Sequence, residues 1–215
     1  MPATTPHHAT VLVLGTTNPG KVRELAPLLA PHGIACRSLA EMPGAIEVDE
    51  TGTTFAENAA LKASAQAAAL EAWVLAEDSG LVVPALGGAP GVYSARFAGP
   101  AAADDPRPAD DRNSAALLAR LAGKADVERA AHYACHAALA EPGGRIVATA
   151  AGLCHGRLAT AARGYGGFGY DPLFIVPEYH RTFGELAPAV KAVISHRARA
   201  VRAILPAIIA QLAGG

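Results

Sequence analysis

Two neighbouring carboxylates, Glu77 and Asp78 in "AWVLAEDSGL", are the residues of this 215-residue chain best suited to chemistry. Adjacent like charges destabilise each other unless a cation joins them, and hard carboxylate oxygens are what Mg²⁺ prefers. Read as a strand over 72–80 that turns at Gly80, the segment delivers both acids and the Ser79 hydroxyl to the carboxyl edge of a sheet. Ligands of open α/β sheets bind at that edge. A second candidate is "GTTNPGKV", Gly15 to Val22, after the apolar run "TVLVL". It fits the phosphate-loop pattern G-x-x-x-x-G-K, except that Val22 stands where a metal-holding hydroxyl belongs. Backbone N–H groups at a helix N-terminus, with the charge of Lys21, can grip a phosphate. Lys21 can equally be a solvated helix residue, and a phosphate site here needs its metal ligands from elsewhere in the chain.

Three further segments carry suitable groups. In "DETGTTFAENAALKA", Asn58 and Lys62 are four apart on one helix face, and Glu50 precedes that helix and can point the same way. Taken alone, this is an ordinary amphipathic helix. In "GYGGFGYDPLF", Gly164 to Phe174, glycines interleave with Tyr165, Phe168 and Tyr170. Backbone can there approach a flat ligand while a ring stacks on it, or the segment is a turn with core aromatics. Asp171 adds an acceptor. In "KAVISHRARAV", Ser195 suits a helix N-cap, placing His196 and Arg197 in the first turn. The helix dipole disfavours cations there, so both read as serving a ligand. They donate to carbonyl oxygens, and a guanidinium cannot accept from an amino group. "HYACH" (His132, Cys135, His136) lacks the four spaced ligands of a structural zinc and reads as a half-buried strand.

The elements that must position these groups follow from periodicity. Residues 10–15 read as a buried strand and the chain after Pro19 as a helix, with Val22, Leu25, Leu28 and Leu29 at helical spacing until "PHG". Residues 54–70 form an Ala-rich helix opened by Thr54 and an early Glu. The Pro-rich, acidic stretch 98–113 reads as a mobile surface loop before a helix at "SAALLARLAG". "AAHYACHAALA" and "GRIVATAAGLCHGRL" alternate as two antiparallel strands joined at "EPGG", and a last helix runs from about Arg197 toward Leu212 through Pro206. The fold class expected is α/β, a single elongated domain over 10–213 with a mixed β-sheet flanked by helices, after a flexible N-terminus at 1–9.

Composition narrows the function. Eighteen basic against nineteen acidic residues give a net charge of −1, so no bulk field holds nucleic acid or an anionic membrane. Any anion must be gripped locally. No apolar run reaches the roughly 18 residues of a membrane span, and "MPATTPHHAT" has no signal-peptide character. Cys36, Cys135 and Cys154 suit free thiols in a reducing compartment, and a cytoplasmic protein is expected.

These segments, in this order, resemble the Ham1-like family of inosine/xanthosine triphosphate pyrophosphatases. The motifs that carry the resemblance are "TTNPGK", "ETGTTFAENAALKA", "EDSGL", "GGAPGVYSAR", "GFGYDP" and "SHR", extending from residue 11 to about 205. The resemblance implies that Thr16, Thr17, Asn18, Pro19, Gly20, Lys21 and Lys62 hold a triphosphate. It implies that Glu50 and Asp78 are the Mg²⁺ carboxylates and that Asp78 is the base for the attacking water. It further implies that Ser79, Phe168, Gly169, Tyr170, Asp171, Lys191, His196 and Arg197 contact the nucleotide, and that the protein is a homodimer. Glu77 stands where many members have Asp, and Ala192 and Ala198 replace a polar residue and a glycine around "SHR". The expected activity is hydrolysis of dITP, ITP or XTP to the monophosphate and pyrophosphate. The alternatives are a pyrimidine-directed pyrophosphatase and a non-catalytic nucleotide sensor.

Overall fold

The computed structural model describes residues 11–213, so the expectation for 1–9 lies outside the described residues. β1 (Leu12–Leu14) is buried throughout, and α1 (Pro19–Leu29) starts where Asn18 Oδ1 accepts from the amides of Gly20 (2.8 Å) and Lys21 (3.3 Å). A left-handed Gly33 leads on to β2 (Cys36–Ser38). α2 (Phe55–Leu70) opens with a capping box in which Thr54 Oγ1 accepts from Glu57 N and Glu57 accepts from Thr54 N. There follow β3 (Val74–Val82), α3 (Ala109–Arg120), β4 (Ala130–Ala140), β5 (Ile146–Leu158), β6 (Phe174–Val176), β7 (Arg181–Thr182), α4 (Pro188–Ile194) and α5 (His196–Ala213). One mixed sheet orders the strands β2-β1-β3-β4-β5-β6-β7, with the first three parallel and the remaining pairings antiparallel.

The strand expected to turn at Gly80 does not. β3 runs through Glu77, Asp78, Ser79 and Gly80 to Val82, because β4 pairs with it continuously from Val74↔Ala140 to Val82↔His132. Gly80 serves close approach instead: a Cβ there would lie 2.3 Å from Ser94 Oγ and 2.6 Å from the Gly91 carbonyl. The acidic stretch is also shorter as a loop than expected. α3 already begins at Ala109, with Asp110 and Asp111 suited to its positive end, and buried Asn113 ties it to Ala98 N and the Ala95 carbonyl.

Alternation along the strands builds a layer on each side. Leu12, Leu14 and Leu75 pack with Leu25, Leu29, Val201, Ile204 and Ile208 of α1 and α5. Val13, Val74 and Ala76 face Ala59, Ala63 and Ala67 of α2, a small-residue stripe that lets the helix sit close to the sheet. A third cluster, around Tyr133, Phe174, Phe183 and Leu117, fills the far end. β1 pairs with β3 only at Val13↔Val74 and Leu14↔Leu75. Beyond Leu75 that edge of β3 has, among the described residues, no neighbouring strand until Ser94 Oγ accepts from Leu81 N and Pro90 bridges Val82.

Candidate active site

The notch left by the shortness of β1 is the floor of a cleft of ≈ 680 Å³. Successive side chains of β3 reach it from opposite faces of the sheet. Glu77 and Ser79 point to the α1 and α5 side, and Asp78 points to the α2 side.

On the α2 side, Asn58, Lys62 and Gln66 form a polar stripe beside the alanines. Gln66 bonds both the N–H and the carbonyl of Ile46, pinning the extended segment that leads to Glu50. Asn58 does the same nearer the site, accepting from Gly52 N (2.8 Å) and donating to Asp78 Oδ2 (3.2 Å). Gly52 permits this contact, since a Cβ there would fall 2.6 Å from Asn58 Oδ1. The Lys62 ammonium lies 3.0 Å from Glu50 Oε1 and 3.3 Å from Asp78 Oδ1. Burial raises the Asp78 carboxyl above its ordinary range, with Lys62 opposing and Glu50 adding to the shift. Burial would lower the Lys62 ammonium, but Asp78 and Glu50 outweigh it and the net shift is upward. The donor set fits a hard divalent cation, because two carboxylates converge on one cationic centre beside open cleft. Among the described residues no three His, Cys, Asp or Glu side chains converge, so such an ion would take most of its ligands from water and substrate, a set that Mg²⁺ accepts.

On the other side, three cations and three acids interlock. Lys21 pairs with Glu77 Oε1 (2.8 Å), and Arg197 bonds Glu77 (3.3 Å), Ser79 Oγ (2.9 Å) and Glu24. Lys191 joins Glu24 (2.6 Å) to Asp171. Burial alone would raise Glu77, yet Arg197 and Lys21 hold it well below the usual carboxylate range. Asp171 is raised by burial despite Lys191. Phe168 lies over this group, with Lys191 Nζ 4.9 Å and the Arg197 guanidinium 5.6 Å from its ring centre. His196 stacks on Tyr133 at 4.6 Å, and among the described residues its buried Nδ1 has no hydrogen-bond partner. Burial, then Arg197 and Lys191, keep this imidazole well below its ordinary value and therefore neutral.

Of the residues that the resemblance assigns to phosphate, metal or nucleotide, all line this one cleft except Pro19 and Gly20; Glu77 and Asn58 stand behind it as partners of lining residues. Pro19 opens α1, and Gly20 packs beneath Phe168, where a Cβ would meet the ring at 2.9 Å. The amides of Gly20 and Lys21 are taken by Asn18, so at this helix end the full charge of Lys21 dominates. Tyr165 is exposed, while Tyr170 is buried and donates to the Ser94 carbonyl at 2.8 Å. The dipole penalty at Arg197 is offset by Glu24 and Glu77 as well as by any ligand. Glu24 gave no sequence signal, reading as one more charge on a solvated helix face. Asn58 was legible as Lys62's neighbour, but its grip on Gly52 was not.

The profile of the Ham1 family matches residues 12–207. A dITP/XTP pyrophosphatase of Rhodopirellula baltica is 50% identical over 198 residues, 92% of this chain and 92% of the relative. Another, of Desulforamulus reducens, is 53% identical over 192 residues, 89% of this chain and 92% of the relative. Among solved structures, a HAM1 protein from Coxiella burnetii superposes with a TM-score of 0.80 at 36% identity, covering 94% of this chain and 99% of that one. A nucleoside-triphosphatase / dITP/XTP pyrophosphatase from Mycobacterium abscessus gives 0.70 at 38% identity, covering 92% and 100%.

Proposed function

Since the chain belongs to the Ham1 family, we propose that it hydrolyses the non-canonical purine nucleotides dITP, ITP and XTP to the monophosphate and pyrophosphate, clearing them from the nucleotide pool. The observation that carries this reading is that one cleft is lined by the cations Lys21 and Lys62, the carboxylates Glu50 and Asp78, and the Phe168 ring. The buried Nδ1 of His196, without a hydrogen-bond partner among the described residues, belongs to the same lining.

In this reading Glu50 and Asp78 hold Mg²⁺, which when bound neutralises phosphate charge and acidifies a water. Asp78, which lines the cleft beside Glu50 and Lys62, takes the proton of the water that attacks the α-phosphorus. Thr16, Thr17 and Asn18 orient the phosphates at the mouth of α1. Lys21 and Lys62 stabilise the charge that develops on the departing pyrophosphate. Phe168 stacks on the base. Arg197 spends three N–H groups on Glu77, Glu24 and Ser79 and keeps one on each terminal nitrogen for a ligand. A 6-carbonyl accepts from such donors, whereas the amino group of adenine leaves them unsatisfied, at a typical cost of ~1–3 kcal/mol.

The same membership leads us to propose a homodimer that works in the cytoplasm. Supporting this, β5 carries Leu153 and His155 exposed on a sheet face beyond α2, and Cys36, Cys135 and Cys154 are free thiols. Among the described residues no helix is long and apolar enough to cross a membrane. The deciding experiment is a panel of ITP, XTP, dITP, ATP, dTTP and UTP with Mg²⁺, with pyrophosphate and orthophosphate measured separately. Preference for the 6-oxo purines with pyrophosphate release is expected. Nucleoside diphosphate plus orthophosphate, or preference for dTTP or UTP, would overturn the reading.

A further inference from the structure

We propose that the Lys62 ammonium holds the metal position of the nucleotide-free protein and yields it only when a triphosphate arrives, so that divalent cation and nucleotide bind as a coupled pair. The proposal rests on the reading of Glu50 and Asp78 as the metal carboxylates.

Lys62 Nζ sits 3.0 Å from Glu50 Oε1 and 3.3 Å from Asp78 Oδ1, at the point where the two carboxylates converge. Both acids are committed to that point. Asn58 holds the other oxygen of Asp78, and the bond from Gly52 N to Asn58 fixes the segment that carries Glu50. A dication entering between these oxygens meets an ammonium within contact distance, and in a site this sheltered the repulsion is weakly screened. Cation and ammonium therefore exclude each other while the protein's own carboxylates are the only anions present. Triphosphate oxygens change the balance. They supply acceptors for both charges, and the four-carbon stem of Lys62 lets its ammonium turn from the carboxylates to the phosphates. Lys21 cannot play this part, since Glu77 holds it on the opposite face of β3. By linkage, the factor by which nucleotide raises metal affinity equals the factor by which metal raises nucleotide affinity.

The test is Mn²⁺ binding to the nucleotide-free protein, followed by electron paramagnetic resonance of the free ion. It compares wild type with Lys62→Met, Lys62→Gln, Lys62→Arg, Glu50→Gln and Asp78→Asn, each checked for native circular dichroism. Lys62→Met and Lys62→Gln should bind Mn²⁺ about tenfold or more tighter than wild type, within the usual range of coupling between sites. Lys62→Arg, which keeps the charge, should stay as weak as wild type. A lysine that merely supports the fold would not improve metal binding on removal. Unchanged or weaker binding in both neutral variants overturns the proposal while leaving the metal site standing, provided Glu50→Gln and Asp78→Asn abolish binding. If those two acid variants bind Mn²⁺ like wild type, the metal reading itself falls, and the proposal with it.

Discussion

Replacing Glu77 by Gln keeps the shape of a buried side chain and removes its charge, leaving Arg197 and Lys21 to find other partners. Arg197 is fully buried and retains Glu24, and Lys21 is partly exposed and can turn to water. Breaking a buried ion pair commonly costs about 3–5 kcal/mol, and these two escape routes point to the lower end, about 3 kcal/mol. For a chain of this size that is a fall in Tm of roughly 6–12 °C. Urea denaturation at pH 7.5 reads the loss directly, and a cycle with Arg197→Met should return a coupling of more than ~1 kcal/mol. The pH dependence supplies a second check. Glu77 is depressed below its ordinary 4.5, so its contribution is complete above that value and is lost as pH falls through the folded-state value. The gap between wild type and Glu77→Gln should be constant from pH 8 to 5 and narrow only below. A loss under about 1 kcal/mol, or a gap that already closes between pH 8 and 6, would refute the reasoning.

Asp78→Asn should lose at least about a hundredfold in kcat; near-normal turnover would sink the assignment of the base. Gly52→Ala forces a Cβ against Asn58 and displaces the Glu50 segment, so the Mg²⁺ concentration for half-maximal activity should rise by about tenfold, the equivalent of one lost hydrogen bond. An unchanged Mg²⁺ requirement would show that the segment tolerates the shift. His196 is held well below its ordinary 6.5, so below that pH the unfolded chain takes up a proton that the native state refuses. Native stability should therefore fall by about 1.4 kcal/mol per pH unit from this group on acidification below pH 6.5. His196→Asn should remove that slope in denaturation series run from pH 7 to 5, and equal slopes in both proteins would contradict it.

Much of this was legible in the sequence because it depends on local rules. Pro19 marks the start of the first helix and Thr54 with its early Glu that of the second, and the α2 register that places Asn58 and Lys62 together is plain in "ENAALK". The β4–β5 hairpin follows from alternation on either side of "EPGG". The extent of β3 was not legible. Acids, a serine and a glycine read as a strand end, and only pairing with β4, more than fifty residues later, keeps them extended. The same holds for β2, β6 and β7, which are three residues or fewer and owe their form to their neighbours. Within the site, the side chains assigned to the ligand stand in quotable motifs. Glu24, whose ion pairs among the described residues are with Lys191 and Arg197, stands in a helix of ordinary pattern.

The early end of β1 bears on motion as well as on binding. Between Ala76 and Gly80 the described residues join β3 on one edge only, so the layer of α1 and α5 and the layer of α2 meet there across a seam and not through a ladder. On the proposed reading, a nucleotide lying along that seam would touch both layers at once and do mechanically what a longer β1 would have done. Amides flanking the notch, in the Gly15–Asn18 turn and the Asp49–Gly52 segment, should therefore slow in hydrogen exchange together when ligand binds, although they lie on opposite faces of the sheet.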